Sequence, residues 1–295
     1  MNYTGSNPPN DSPPNPNTKA VAIIPARYDS VRLPGKALLE IAGKPMICRV
    51  VERALAARNV ARAIVATDDE RIFAAVKSAG YEAAMTRTEH RSGTDRIAEI
   101  AAGLDDVDII VNVQGDEPLI APLTIERAVE AMGQAPKSGS VGHRSDGNDV
   151  GIVTTWEPME SAADVLNPDI VKIVVDDCER AVYFSRSLVP YPRDAVRRHG
   201  SIQAAIFAEP ALLSSFRKHT GLYVYRREVL LQFAGWPQSR LERLESLEQL
   251  RALERGVVIR AIEASTPSIG VDTVEDLEKV RAIVSSSRFQ VSSSL

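Results

Sequence analysis

Between residues 19 and 285 the chain alternates short apolar runs with segments of helical periodicity. The run "AVAIIPA" (20–26) is continuously apolar, as expected of a strand that is covered on both faces. "ARAIVATDD" (61–69), "YEAAMT" (81–86) and "VDIIVNVQGDEP" (107–118) are further predicted strands, with helical segments between and after them. This βαβα order predicts a mostly parallel sheet with helices on both faces.

Turn and cap residues set the predicted helix boundaries. Pro45 suits the first turn of the helix "PMICRVVERALAA", and Gly80 ends "ERIFAAVKSAG". Thr94 is a candidate N-cap for "GTDRIAEIAAGL", and Thr273 is a candidate N-cap for "TVEDLEKVRAIVSS". In "RLERLESLEQLRALERG" a helix ending at Gly256 is predicted, with one apolar side formed by Leu241, Leu244, Leu247 and Leu250.

The second half has a different pattern. "VGIVTTWEP" (150–158), "IVKIVVDDCERAVYFSR" (170–186) and "HTGLYVYRREVLLQF" (219–233) predict antiparallel strands and a helix. We expect this β-rich region, roughly 150–235, to cover the site, and "VVIRAIEA" (257–264) to add a late strand. The fold class is therefore α/β, with a mostly parallel sheet and an added antiparallel part.

The ends differ from this pattern. Residues 1–18 are rich in Asn and Pro and nearly lack apolar side chains, which predicts a disordered leader. Residues 286–295 are expected to form a loose tail, and residues 133–149 a surface loop. One domain, 19–285, remains.

Composition narrows the function classes. The 295 residues carry a formal net charge of -4, which argues against non-specific nucleic-acid binding. No apolar run approaches the roughly 20 residues of a membrane span, and no signal-peptide pattern opens the chain. The two cysteines, Cys48 and Cys178, have no metal-type spacing and are expected to be buried apolar residues. A cytoplasmic protein is expected.

The loop "RYDSVRLPGK" (27–36) follows the first strand and carries concentrated positive charge. Arg27, Arg32 and Lys36 supply cations, Ser30 a hydroxyl, and Gly35 allows close backbone approach, so a nucleoside triphosphate is a plausible anion. The loop matches neither the P-loop nor the dinucleotide fingerprint. A solvated cationic loop without a ligand is the alternative.

Two aspartates follow strands at the edge where this loop is expected. Asp116 ends the strand of "VNVQGDEPLI", and Asp272 precedes the last helix. Ligands bind at the carboxyl ends of parallel strands, and Mg²⁺ prefers oxygen ligands, so the two carboxylates are candidate metal ligands. A plain turn at Asp116 and helix capping by Asp272 are the alternatives.

Further polar residues suggest substrate contacts. The turn Arg91, Ser92, Gly93 and Thr94 places donors before a helix, where base recognition and simple capping are both open. The β-rich half and the helix after it contribute the candidate polar side chains Arg186, His219, Tyr223, Glu242, Glu245 and Gln249.

Seven motifs in one order resemble the 3-deoxy-manno-octulosonate (Kdo) cytidylyltransferase, or CMP-Kdo synthetase, family across about residues 19–284. They are "IIPARYDSVRLPGK", "MTRTEHRSGTDR", "VNVQGDEPLI", "YFSR", "HTGLYVYRR", "LERLESLEQLR" and "GVDTVEDLEKVR". The resemblance implies a Rossmann-like nucleotidyltransferase fold, a homodimer, and the Mg²⁺-dependent reaction of CTP with Kdo to give CMP-Kdo and pyrophosphate for lipopolysaccharide biosynthesis.

The resemblance also implies residue roles. Arg27, Lys36, Asp116 and Asp272 are implied to be catalytic, and the two aspartates to hold the metal. Nucleotide contacts are implied for Ala26, Arg27, Ser30, Lys36, Arg91, Ser92, Gly93, Thr94 and Asp116. Kdo contacts are implied for Gln114, Arg186, His219, Tyr223, Glu242 and Glu245.

Two other functions remain to be weighed. A CMP-sialate synthetase would also couple CTP to a keto-sugar acid, although "HTGLYVYRR" and "LERLESLEQLR" favour the Kdo enzyme. The second alternative is a nucleotide-binding regulator without catalysis. The presence of both candidate metal carboxylates together with the cationic loop argues against this alternative.

Overall fold

The computed structural model describes residues 20–30, 32–134 and 149–286. The predicted leader (1–18), nearly all of the predicted loop 133–149 and the tail from 287 onward lie outside these described residues.

Most of the described strands coincide with the predicted strand segments, whereas the two short strands within residues 40–45 were not predicted. The strands are β1 Ala20–Ala26, β2 Glu40–Ile41, β3 Lys44–Pro45, β4 Val60–Thr67, β5 Glu82–Met85, β6 Ile109–Asn112, β7 Val150–Pro158, β8 Lys172–Val175, β9 Ala181–Ser185, β10 Arg217–Arg226 and β11 Val258–Glu263.

The helices fill the connections. They are α1 Met46–Leu55, α2 Glu70–Ser78, α3 Gly93–Ala102, α4 Pro122–Gly133, α5 Ala162–Leu166, α6 Arg193–His199, α7 Ile202–Ala208, α8 Arg227–Gly235, α9 Arg240–Glu245, α10 Gln249–Glu254 and α11 Val274–Ser285. Short 3₁₀ helices cover Lys36–Leu38 and Pro210–Ser215.

The main sheet has the order β11-β7-β10-β6-β1-β4-β5, and the hairpin β8–β9 is attached to β10. Strands β6, β1, β4 and β5 are parallel. Strand β10 is antiparallel to both β6 and β7, while β11 is parallel to β7. The predicted α/β class, mostly parallel with an antiparallel addition, is confirmed.

Alternation along β1 explains why both faces of the sheet are apolar. Ala22 and Ile24 are buried in a cluster with residues of α1 and α4, and Val21 and Ile23 are buried in the cluster that includes residues of α3 and α8. Successive side chains of a strand point to opposite faces, so a continuous apolar run serves two cores at once. Because β1 and β6 are parallel neighbours, their carboxyl ends lie at the same edge of the sheet. The helices packed on both faces hold these strands in place.

The predicted helix over 240–256 is wrong in its continuity. Ser246 adopts φ 53°, in the left-handed region, and divides the segment into α9 and α10. The predicted apolar side fails at Leu244, which is 70% exposed, whereas Leu247 and Leu250 are buried. A left-handed residue ends one helix, and the next helix starts with a new direction. A single helical repeat therefore does not predict which side chains of α9 and α10 share a buried face.

Two helix ends, the two cysteines and the lack of a membrane span among the described helices can also be compared with the predictions. Gly80 (φ 84°) lies just beyond α2, and Thr273 caps α11, as predicted. Cys48 is buried but Cys178 is exposed, which corrects the expectation that both are buried; both thiols are free. Across the described part of the chain, no helix has the length and apolar character needed to span a bilayer.

Candidate active site

The cationic loop places Lys36 at the carboxyl edge of the sheet. The backbone N–H of Gly35 donates to the carbonyl of Tyr28 (2.9 Å), which closes the loop just before the 3₁₀ helix that begins at Lys36. Gly35 has φ 68°, and a Cβ atom there would lie 3.1 Å from the Tyr28 ring. Glycine is therefore favoured at this position both by backbone conformation and by space.

Lys36 joins the two predicted metal carboxylates. Its Nζ atom donates to Asp116 Oδ2 (2.6 Å) and Asp272 Oδ1 (2.9 Å), and also to the carbonyl of Val271 (3.2 Å). Burial by itself lowers the pKa of Lys36, but Asp116 and Asp272 outweigh it and hold the pKa above its ordinary value. The predicted convergence of these three segments is confirmed, while the roles of the side chains stay predictions.

The pair Asp116 and Asp272 fits a divalent cation. The two carboxylates already hold one cationic group between them, and their oxygens are the ligand type that Mg²⁺ prefers. No group of three or more His, Cys, Asp or Glu with metal-binding geometry occurs among residues 20–30, 32–134 and 149–286. Two carboxylates are sufficient where substrate phosphates and water complete the coordination.

The other cations of the loop lie around this pair. Arg32 forms an ion pair with Asp272 (2.8 Å), and Arg27 donates to the carbonyl of His90 (2.6 Å). Ala26 is buried at the end of β1, whereas Arg27 is exposed and Ser30 is half-buried. The loop thus extends from the Asp116 and Asp272 carboxylates toward the segment that contains His90.

The turn at residues 91–94 packs against the end of β1. A Cβ atom on Gly93 would come 3.3 Å from Pro25, so the turn and the strand are in close contact. Ser92, not Thr94, is the N-cap of α3, and it forms a capping box with Asp95. The prediction for Thr94 is therefore wrong: the capping box already supplies the cap, and the Thr94 hydroxyl donates to Glu248 Oε2 (2.7 Å) instead.

A cavity of about 960 Å³ lies beside this turn. Its walls come from residues 87–92, the outer side of α3 and the region from Ala234 to Arg251. Arg91 and Ser92 line it, but neither Lys36 nor Asp116 does. The cavity therefore does not include the predicted metal carboxylate Asp116 or the cation Lys36 beside it.

Three of the predicted sugar-acid residues meet at β6 and β10. Gln114 Nε2 donates to Asn112 Oδ1 (3.0 Å) and to the carbonyl of Gly221 (3.3 Å). The His219 ring lies 5.4 Å from the Tyr223 ring, and its Nε2 is 2.9 Å from Thr154 Oγ1. Burial lowers the pKa of His219 to about 3, so the ring is neutral at physiological pH.

Arg186 and Glu245 form a second group close to His219. The Glu245 carboxylate accepts from Ser185 Oγ (2.8 Å) and from the Arg186 N–H (2.9 Å), and Arg186 Nε donates to the Glu245 carbonyl (2.8 Å). Phe184, which precedes Ser185 in β9, has its ring 5.0 Å from that of His219. The end of β9, which carries Ser185 and precedes Arg186, therefore lies near the β10 group.

Glu242 is the exception, and its predicted Kdo contact is revised. Its carboxylate accepts from Arg251 Nε (2.8 Å) and Nη2 (2.5 Å), and its Oε2 also accepts from the Ser239 N–H (3.0 Å). The side chains of Glu242 and Arg251 are 5% and 6% exposed. These bonds occupy the carboxylate, so the structure assigns Glu242 to holding α9 against α10.

The comparisons with known proteins point to one family. The family model "Cytidylyltransferase" matches residues 21–262. A 3-deoxy-manno-octulosonate cytidylyltransferase from Trichlorobacter lovleyi is 49% identical over 261 residues, which is 88% of this chain and 96% of that protein. The enzyme of that name from Solibacter usitatus is 43% identical over 272 residues, covering 92% and 97%.

This chain belongs to the 3-deoxy-manno-octulosonate cytidylyltransferase family. A solved structure of CMP:2-keto-3-deoxy-manno-octonic acid synthetase complexed with CTP has a TM-score of 0.76 and 43% identity, covering 90% of this chain and 98% of that one. A putative glucose-1-phosphate thymidylyltransferase from Bacillus anthracis, at 16% identity and a TM-score of 0.59, shares the fold. The chain is thus a nucleotidyltransferase by family and by fold.

Sequence reasoning missed three groups beside the site. Burial raises the pKa of Glu248, although Thr94, Ser92 and Arg251 oppose that shift. Burial likewise raises the pKa of Glu117 to about 7, with Ser268 opposing and the nearby Asp116 and Glu157 adding to it.

Lys172 is fully buried and donates to the carbonyls of Asn167 (2.8 Å) and Ile170 (2.7 Å). A glutamate or a lysine in an ordinary polar stretch of sequence gives no sign that its side chain will be buried. The sequence signal that exists is position alone: Glu117 directly follows Asp116.

Proposed function

We propose that this chain transfers the cytidylyl group of CTP to Kdo, giving CMP-Kdo and pyrophosphate for lipopolysaccharide biosynthesis. The observation that carries the proposal is the bridge from Lys36 to Asp116 and Asp272, because it brings a phosphate-binding cation and two metal-type carboxylates together. The names of the relatives and of the CTP-bound neighbour support the substrates.

Asp116 and Asp272 would hold Mg²⁺. When bound, the ion neutralises phosphate charge and lowers the pKa of a coordinated hydroxyl. Lys36 would then exchange its carboxylate partners for the triphosphate, and Arg27 would join it in stabilising the departing pyrophosphate. Arg32, which pairs with Asp272 in this structure, is placed to do the same.

The turn from Arg91 to Thr94 would orient the cytidine. Its contact with Pro25 at the end of β1 places it near the phosphate loop, and Glu248 fixes the Thr94 hydroxyl from the other side. A base held at this turn and phosphates held at Lys36 would lie along one sheet edge, as ligands do in open α/β sheets.

Kdo would lie against β10 and the end of β9. Arg186 is the proposed partner of the sugar carboxylate, since a guanidinium binds a carboxylate through two bonds. Gln114, Tyr223 and Glu245 would bind hydroxyls, and neutral His219 would act as a hydrogen-bonding group and not as a cation. The 2-hydroxyl of Kdo attacks the α-phosphorus, and positioning together with charge stabilisation supplies most of the catalysis.

A homodimer is proposed as well. Exposed apolar side chains occur within the β-rich region, among them Phe207 (89% exposed), Tyr191 (60%) and Val182 (58%). Sedimentation of the full chain tests this proposal; a monomer at micromolar concentration would contradict it.

Pyrophosphate release tests the function. The protein should release pyrophosphate from CTP and Mg²⁺ when Kdo is present, and chelation of the metal should abolish this. Parallel assays with a sialic acid and with an amino variant of Kdo identify the acceptor. Faster turnover with sialic acid would establish the sialate alternative, and CTP binding without any turnover would establish the regulator.

A further inference from the structure

Asp272 lies on a segment that needs to be held in place. Residues 264–272 connect the end of β11 to the start of α11 without helix or strand structure. The side chain of Asp272 is 42% exposed, and its carboxylate pairs with the cations Lys36 and Arg32. The Asp272 N–H also donates to Asp276 Oδ2 (3.3 Å), a contact that orients the backbone but not the carboxylate. Both cations are assigned to the triphosphate in the proposed function, so they cannot also be what fixes Asp272 during turnover.

A second set of contacts holds this segment without using those cations. Ser268 Oγ donates to Glu117 Oε2, and the Ser268 N–H donates to Glu157 Oε1 (2.9 Å). Glu157 is itself held by Lys218 (3.3 Å), and its side chain is 4% exposed. The middle of the segment is thus tied to two carboxylates, the half-buried Glu117 and the buried Glu157.

The same contacts connect the two metal candidates. Glu117 is the residue after Asp116, and the Val271 N–H donates to the Asp116 carbonyl (2.8 Å). A Cβ atom at Gly270 would lie 3.5 Å from Glu117 Oε1, so the segment runs directly along this carboxylate. The loop that carries one metal aspartate therefore also holds the segment that carries the other.

We infer that Glu117 and Ser268 are positioning residues that fix Asp272 opposite Asp116. The inference rests on the proposed function for the metal role of the two aspartates. Groups that orient metal ligands commonly change metal affinity by about 10- to 100-fold when they are removed. Neither residue needs to contact CTP, Kdo or the metal.

The segment provides a matched control. Ser265 is a second anchor on it: Ser265 Oγ lies 2.8 Å from Thr124 Oγ1, and the Ser265 N–H donates to the same oxygen (2.9 Å). Ser268→Ala and Ser265→Ala remove one hydroxyl each from the same loop. Only the first removes a contact to Glu117.

Mn²⁺ binding to the full-length protein, followed by electron paramagnetic resonance, tests the inference. Ser268→Ala and Glu117→Ala should weaken Mn²⁺ binding by about tenfold, while Ser265→Ala stays within about twofold. Glu117→Gln should restore most of the affinity, because an amide oxygen still accepts from Ser268.

Equal losses in both serine variants would overturn the inference, as would unchanged affinity in Ser268→Ala. A loss in Glu117→Gln alone would also overturn it, since it would indicate a charge effect.

Amide hydrogen exchange gives a second readout that needs no metal. Peptides covering 266–272 should exchange faster in Ser268→Ala than in Ser265→Ala or the wild type; equal exchange in all three would contradict the inference. The wild-type pyrophosphate assay is separate from both measurements. If the wild type lacks turnover, the proposed function fails, whereas the exchange pattern still reports whether Glu117 and Ser268 hold the segment.

Discussion

Lys36 and Asp272 are 236 positions apart in the chain, yet Lys36 Nζ lies 2.9 Å from Asp272 Oδ1. The same nitrogen lies 2.6 Å from Asp116 Oδ2. A cation thus stands between the two carboxylates before any metal or nucleotide arrives. A divalent cation bound by both aspartates, as proposed, would compete with Lys36 for these carboxylates, and the triphosphate would offer Lys36 new partners.

Replacing either aspartate by Asn should lower turnover by at least about a hundredfold, because charge stabilisation at the phosphates depends on both carboxylates. The measurement is pyrophosphate release at saturating Mg²⁺. Asp105→Asn is the matched control, since Asp105 is 91% exposed and pairs with Arg227 away from the site. Turnover near the wild-type value in both Asp116→Asn and Asp272→Asn would end the two-carboxylate proposal.

Lys36→Met should have two opposite effects. The substitution leaves the two carboxylates without their ammonium partner. In the absence of nucleotide, Mn²⁺ should therefore bind the variant more tightly than it binds the wild type. The KM for CTP should rise, because a phosphate contact is lost, while the KM for Kdo changes little. Weaker Mn²⁺ binding in the variant, or a defect confined to Kdo, would contradict the assignment of Lys36.

His219 should make the protein sensitive to acid. Its pKa is lowered to about 3 in the folded protein by burial, against an ordinary value of 6.5. The unfolded chain therefore binds more protons between these values, and stability falls as pH drops below 6.5. At pH 5 the loss is on the order of 2 kcal/mol.

Thermal unfolding at pH 7.5 and pH 5 measures this effect. The fall in Tm on acidification should be smaller in His219→Gln than in the wild type. Phe184→Leu is the control, because it perturbs the same packed group but keeps the imidazole, and it should retain the wild-type acid dependence. An unchanged acid dependence in His219→Gln would show that the ring does not carry the effect.

Glu242→Ala should destabilise the fold without a specific effect on Kdo. It leaves the Arg251 guanidinium, whose side chain is 6% exposed, without its main partner, and such losses cost about 3–5 kcal/mol. Glu278→Ala removes an exposed pair with Arg281 and should cost no more than about 1 kcal/mol.

Denaturant unfolding measures both changes. A normal stability for Glu242→Ala with a raised KM for Kdo would reinstate the substrate contact that the structure assigns elsewhere.

The contrast between Glu242 and Glu245 shows where sequence reasoning reaches its limit. Both belong to one helical stretch, three residues apart, and their partners lie on other elements: Arg251 on α10 for the first, Ser185 on β9 for the second. Periodicity places residues on a helix but does not say which neighbour each side faces. The break at Ser246, which separates α9 from α10, could not be predicted either, because serine is not a typical residue for the left-handed conformation.

The sheet and the position of Asp116 were predictable for the opposite reason. An apolar run such as that of β1 leaves few alternatives to a buried strand, and parallel strands deliver their carboxyl ends to one edge. Because Asp116 and the cationic loop each follow a parallel strand, the sequence predicted that both lie at this edge of the sheet. Asp272 follows a loop and not a strand, so its arrival depends on tertiary contacts such as the bond from the Val271 N–H to the Asp116 carbonyl, which no local pattern encodes.

Gly35 offers a test of how far the shape of the loop controls nucleotide binding, and Gly43 is its matched control. Both have positive φ, 68° and 76°, so alanine at either position carries a conformational cost of about 1–2 kcal/mol. A Cβ atom at Gly35 also meets the Tyr28 ring at 3.1 Å, whereas one at Gly43 meets nothing within 4 Å. Gly35→Ala should therefore displace the adjacent Lys36 as well as lower stability.

The expected result is a similar loss of stability in the two variants, with a KM for CTP raised at least about tenfold in Gly35→Ala alone. Denaturant unfolding and steady-state kinetics on the same preparations separate the two effects. Equal CTP kinetics in both variants would mean that the loop tolerates displacement, and that the position of Lys36 is set by its carboxylate partners and not by the turn that precedes it.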